Sequence, residues 1–96
     1  YVDDDDALVL LTVRKLTRLG YLPTGETDPM AALAKIQSDP DCVDAVVTDL
    51  SMPRMTGFDL AREILLVRPD LPVVLTSGFV RPEDQDQAAQ IGIRAL

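Results

Sequence analysis

Two sets of carboxylates are the residues most able to do chemistry. The chain opens YVDDDDALVL, with Asp3, Asp4, Asp5 and Asp6 adjacent, and a fifth aspartate, Asp49, ends the β-branched run AVVTD. Aspartate caps helix N-termini and suits the positive end of the helix dipole, which accounts for one or two of the first four. Adjacent carboxylates repel, so the others gain from proximity only if a cation sits among them. Their oxygens suit a hard ion, and Mg²⁺, which takes few protein ligands and keeps its waters, fits best. Alone, Asp3 to Asp6 read as a solvated helix cap and Asp49 as a strand-end turn residue. Both sets at one sheet edge point to a metal site.

The elements around them supply that edge. Tyr1 and Val2 read as the tail of a strand. From about Asp6, Leu8, Leu11, Leu16 and Leu19 recur on one helical face, and Gly20 stops the helix as a left-handed residue would. A short extended piece is expected around Leu22. TDPM, with Pro29 in the first turn, opens a second helix through about Gln37. Ala45 to Asp49 has the pattern of a strand buried on both faces. Phe58, Ala61, Ile64 and Leu65 mark a third helix, LPVVLTSG another buried strand, and RPEDQDQAAQIG a fourth helix with Pro82 near its start. IRAL begins a further strand. Strands alternating with helices over short connections predict an α/β fold with a parallel sheet covered on both faces. Function belongs in the crevice at the carboxyl ends of its strands, where the aspartates fall.

Composition narrows the function classes. With 96 residues and 47% apolar content, the chain is one domain with a real core. A net charge of −7, with no run of Lys or Arg, argues against nucleic-acid or anionic-membrane binding by this segment. No apolar run is long enough to span a bilayer, and no signal peptide is visible. One cysteine, Cys42, excludes an internal disulfide and fits a reducing, cytoplasmic setting. Without histidine, no Ser-His-Asp or Cys-His pair can form.

VDDDDAL, VVTDLSMPRMTGFDL and PVVLTSG, at this spacing, resemble the receiver domain of two-component response regulators and hybrid histidine kinases over essentially the whole chain. The resemblance implies a flavodoxin-like, doubly wound, five-stranded parallel sheet of order 2-1-3-4-5. It also implies one incomplete receiver domain over 1–96, entered in mid-strand and ending before the last strand is complete, without the last helix. It makes Asp49 the phosphoacceptor, with Asp4 directly, Asp3 partly through water, Asp49 itself and the backbone carbonyl of Ser51 holding Mg²⁺. Thr76 becomes the switch hydroxyl, while Asp5 and Asp6 are bystanders, one of them capping the helix. The family lysine that pairs with the phosphoryl group would fall a few residues beyond Leu96, and Leu96 itself falls where many receivers carry an aromatic switch residue. Lys15 and Lys35, on the first two helices, cannot substitute for that lysine. Uncovered apolar sheet surface could be covered by homodimerisation.

The expected partners are a histidine kinase or phosphotransfer domain and a downstream output domain or protein. The module promotes its own phosphorylation but has no free substrate to turn over. A phosphatase of the haloacid dehalogenase type also uses a strand-end aspartate and Mg²⁺, but needs a second aspartate two residues on, where this chain has Ser51. A phosphate-independent pseudo-receiver is the remaining alternative, opposed by the presence of Asp3, Asp4, Asp49 and Thr76 together. The fourth helix has few apolar anchors, chiefly Ala88, Ala89 and Ile91, which predicts a mobile element able to transmit the switch.

Overall fold

The computed structural model describes residues 1–76 and 82–91, without the side chains of Ala88, Ala89 and Ile91. The elements along the chain are α1 (Asp6–Arg18), α2 (Pro29–Ser38), β1 (Val46–Asp49), α3 (Gly57–Val67), β2 (Val73–Thr76) and α4 (Pro82–Ile91). β1 and β2 pair in parallel, Val46 opposite Val73 and Asp49 opposite Thr76. Val2 adds to the free side of β1 through two bonds of 2.8 Å, from its N–H to Val47 and from the Asp49 N–H to its carbonyl. Glu26 in turn flanks the chain start: its N–H reaches Tyr1 O at 2.9 Å and its carbonyl accepts from Asp3 at 3.2 Å. The order across the sheet is therefore residue 26, residue 2, β1, β2, the first four places of the expected 2-1-3-4-5 arrangement. The fifth strand expected at IRAL lies outside the described residues, as do Ser77 and Gly78.

One face of this sheet carries the core. Val2, Val46 and Val73 pack with Ala32, Leu33 and Ile36 of α2 and Leu60, Ala61 and Ile64 of α3. α2 starts as its sequence demands, with the Asp28 carboxylate accepting from Met30 N–H and Pro29 at the first turn. α3 starts with a capping box: Thr56 Oγ1 accepts from Asp59 N–H, and the Asp59 carboxylate accepts from Thr56 N–H. Gly20, at φ +97°, ends α1 as expected.

Three expectations need correction. The paired extended residue is Glu26, not the neighbourhood of Leu22, whose side chain is fully exposed. Pro23 offers no N–H for a ladder there, whereas Glu26 offers both backbone groups. In α1, the face turned inward is Val9, Val13 and Leu16; Leu8, Leu11 and Leu19 are exposed, and the helix buries no residue fully. Apolar residues occupy two adjoining stripes of this helix, and periodicity alone cannot choose between them. What chooses is Gly25, where a Cβ would lie 2.5 Å from Val9 Cγ1 and 3.0 Å from Val13 Cγ2. Finally, β1 and β2 alternate instead of being buried on both faces. Val46, Thr48, Val73 and Leu75 are buried, and Val47, Asp49, Val74 and Thr76 are half-buried.

Gly57 does not have a positive φ, so its place is explained by close approach of the backbone. It opens α3 against the end of β1, donating to Leu50 O at 2.8 Å. A Cβ there would meet Asp49 O at 2.5 Å and Leu50 Cα at 2.9 Å, both backbone atoms. An unobstructed helical Gly→Ala change stabilises by up to about 1 kcal/mol. Gly57→Ala is expected to do the opposite and cost about 1–3 kcal/mol in urea unfolding. A gain in stability would show that the close approach is not a constraint.

Candidate functional site

Asp3, Asp4 and Asp49 each present a carboxylate oxygen within 4.8 Å of the others, the one such group of metal-ligating side chains among the described residues. Strand pairing produces this meeting. With Val2 locked beside Val47 and Asp49, the next residues emerge against the carboxyl end of β1. Asp3 is buried, Asp49 half-buried and Asp4 exposed, so the cluster runs from the interior to solvent. A cleft of about 170 Å³ opens beside it, lined by Asp4, Asp28, Met52 and Arg54 among others.

The electrostatics follow from that crowding. Burial first, then the negative charges of Asp3 and Asp4, push the Asp49 carboxyl above its ordinary value of 3.8; backbone N–H groups of Leu50 and Ser51 pull the other way. An all-oxygen donor set in which one carboxylate is destabilised by two others fits a hard divalent cation.

The site residues singled out in the sequence all lie among the described residues, whereas Leu96 lies outside them. Asp3, Asp4 and Asp49 come together. Thr76 is the register partner of Asp49 on the neighbouring strand, and its carbonyl accepts from Leu50 N–H at 2.9 Å. Ser51 lies exposed in the loop just beyond, its N–H directed to the Asp49 carboxylate. That loop is pinned at both ends, by the Leu50 bonds to Thr76 and Gly57 and by burial of Met52 in the core. The four opening aspartates divide as expected. Asp5 is the N-cap of α1, accepting from Ala7 and Leu8 N–H at 2.9 and 3.3 Å, and Asp6 occupies the first turn. Tyr1 was not legible as a site neighbour, yet its hydroxyl donates to Asp3 Oδ2 at 2.7 Å. The available signal was strand alternation, which puts residues 1 and 3 on one face.

A family model described as the response regulator receiver domain matches residues 1–96. The chain belongs to that family. It is 34% identical over 79% of its length to the two-component response regulator ARR14 of Arabidopsis thaliana, and 31% identical over 80% to the response regulator receiver protein CpdR of Brucella abortus. It is 35% identical over 81% to the sensor kinase CckA of the same bacterium. The chain spans 20%, 62% and 8% of these three proteins, less than two thirds of each. Among solved structures, the chemotaxis protein CheY4 of Vibrio cholerae superposes with a TM-score of 0.89 at 25% identity, over 98% of this chain and 78% of that one. A response regulator from Burkholderia pseudomallei, whose structure is described with a phosphorylated aspartic acid and a calcium ion, shares the fold at a TM-score of 0.85 and 20% identity, over 98% of this chain and 54% of that one. This is a flavodoxin-like receiver domain of the kind found in two-component regulators and kinases. No helix among the described residues is long and apolar enough to cross a membrane.

A receiver carboxyl whose pKa rises on folding opposes folding once ionised. The cost is absent below about 3.8, grows as pH rises past that value, and is complete above the raised folded value. Asp49→Asn is therefore expected to raise Tm by a few degrees at pH 7 in EDTA, an advantage that fades as pH falls toward 3.8. A gain independent of pH, or none, in differential scanning calorimetry would contradict this account of the site.

Proposed function

We propose that residues 1–96 act as one receiver unit of a cytoplasmic phosphorelay in which Asp49 accepts a phosphoryl group from a phosphohistidine. The single observation behind this is the juxtaposition of Asp49 with Asp3 and Asp4 on one side and Thr76 on the other, at the carboxyl edge of the parallel sheet. An Asp49 carboxylate oxygen attacks the phosphorus, the P–N bond breaks, and its electron pair returns to the imidazole nitrogen of the donor. The product is an acyl phosphate on Asp49. Asp3, Asp4, Asp49 and the Ser51 carbonyl hold the Mg²⁺, and the bound ion supplies the positive charge that phosphoryl transfer requires. The Thr76 hydroxyl donates to a phosphoryl oxygen after transfer, which carries the change along β2 toward α4.

A histidine kinase or phosphotransfer domain is the donor in this reading, and an output domain or separate protein reads the switch. ARR14 and the sensor kinase CckA represent the two settings, a regulator and a kinase, in which similar segments occur. The net charge of −7 favours a protein partner over direct nucleic-acid contact by this segment.

Intact-mass measurement after incubation with acetyl phosphate and Mg²⁺ tests the reading. One phosphoryl adduct is expected, removed by EDTA and abolished in Asp49→Asn. A folded chain that takes no adduct would favour the phosphate-independent pseudo-receiver.

A further inference from the structure

Tyr1 has no part in the reaction above, yet its side chain touches the site at Asp3. Alternation sets Tyr1 and Asp3 on the sheet face opposite Val2, whose side chain is buried against α2 and α3. The Tyr1 hydroxyl donates to Asp3 Oδ2 at 2.7 Å, and Asp5 N–H donates to Asp3 Oδ1 at 3.0 Å. Both oxygens of a carboxylate only 3% exposed are thereby engaged. The group cannot rotate without breaking a charge-assisted hydrogen bond, but each oxygen keeps a lone pair for a cation or its water.

We propose that Tyr1 is a positioning residue of the acidic site, holding Asp3 in the orientation that a divalent cation meets. The inference rests on the cation reading of Asp3, Asp4 and Asp49. Groups that orient a metal ligand through its second oxygen commonly matter roughly tenfold or more to affinity. Ring packing alone does not explain the arrangement, because Phe would pack equally well and would leave Asp3 Oδ2 without its donor.

The chain has two tyrosines and no tryptophan, so Tyr21→Phe leaves Tyr1 as the only strong intrinsic fluorophore. In that background, Mg²⁺ titration is expected to change Tyr1 emission saturably, and adding Asp3→Asn should remove the response. By calorimetry, Tyr1→Phe should bind Mg²⁺ about tenfold more weakly than the parent, with an unchanged circular dichroism spectrum. Equal affinity of Tyr1→Phe and parent would overturn the inference while leaving the cation site intact. So would an unresponsive Tyr1 emission in a protein that calorimetry shows to bind Mg²⁺. A parent that binds no Mg²⁺ and takes no phosphoryl adduct would overturn the reading of the site and this inference with it.

Discussion

Parallel pairing of Val2 with β1 forces three like charges into one small volume, and the functional structure follows from that constraint. Hydrogen bonds of 2.8 Å on either side of Val2 leave Asp3 and Asp4 no path except past the end of β1, where Asp49 already sits. Coulomb repulsion among carboxylates would normally select against such an arrangement. It persists because the backbone ladder and the apolar core beneath it determine where the strand ends lie. Burial first, and then that repulsion, raise the Asp49 pKa in the folded protein.

The two faces of the sheet divide the work. α2 and α3 pack densely on Val2, Val46 and Val73, making a rigid floor. The opposite face carries Tyr1, Asp3, Asp49 and Thr76, of which Asp3 is buried and the other three are half-buried. Gly57 links the two halves. By admitting α3 against the Asp49 carbonyl, it lets the core helix begin at the strand end and fixes the loop that carries Ser51. The absence of a side chain at this one position thus lets α3 begin against the backbone of Asp49 and Leu50.

Much of this was legible in the residues. The β-branched runs AVVTD and PVVLT read as strands, which put Asp49 at a carboxyl edge, while Thr76 was singled out through the resemblance to receiver domains. Capping chemistry accounted for one or two of the four opening aspartates, and the resemblance to receiver domains assigned Asp5 and Asp6 to that end of the helix. Less legible were features fixed by contact between distant segments. Which stripe of α1 faces inward depends on Gly25, sixteen residues beyond Val9, and no periodicity within the helix encodes that. The displacement of the paired residue from Leu22 to Glu26 turned on backbone donors flanking Pro23, not on hydrophobicity. Tyr1 was readable as strand, but the hydrogen bond from its hydroxyl to Asp3 was not.

The central claim is that Asp3, Asp4 and Asp49 form a divalent-cation site, and Mn²⁺ binding followed by electron paramagnetic resonance tests it most directly. The account predicts one saturable Mn²⁺ per chain, displaced by Mg²⁺ and lost in Asp4→Asn, while Asp5→Asn, which alters only the helix cap, binds as the parent does. Absence of saturable Mn²⁺ binding, or equal loss on substituting Asp5, would contradict it.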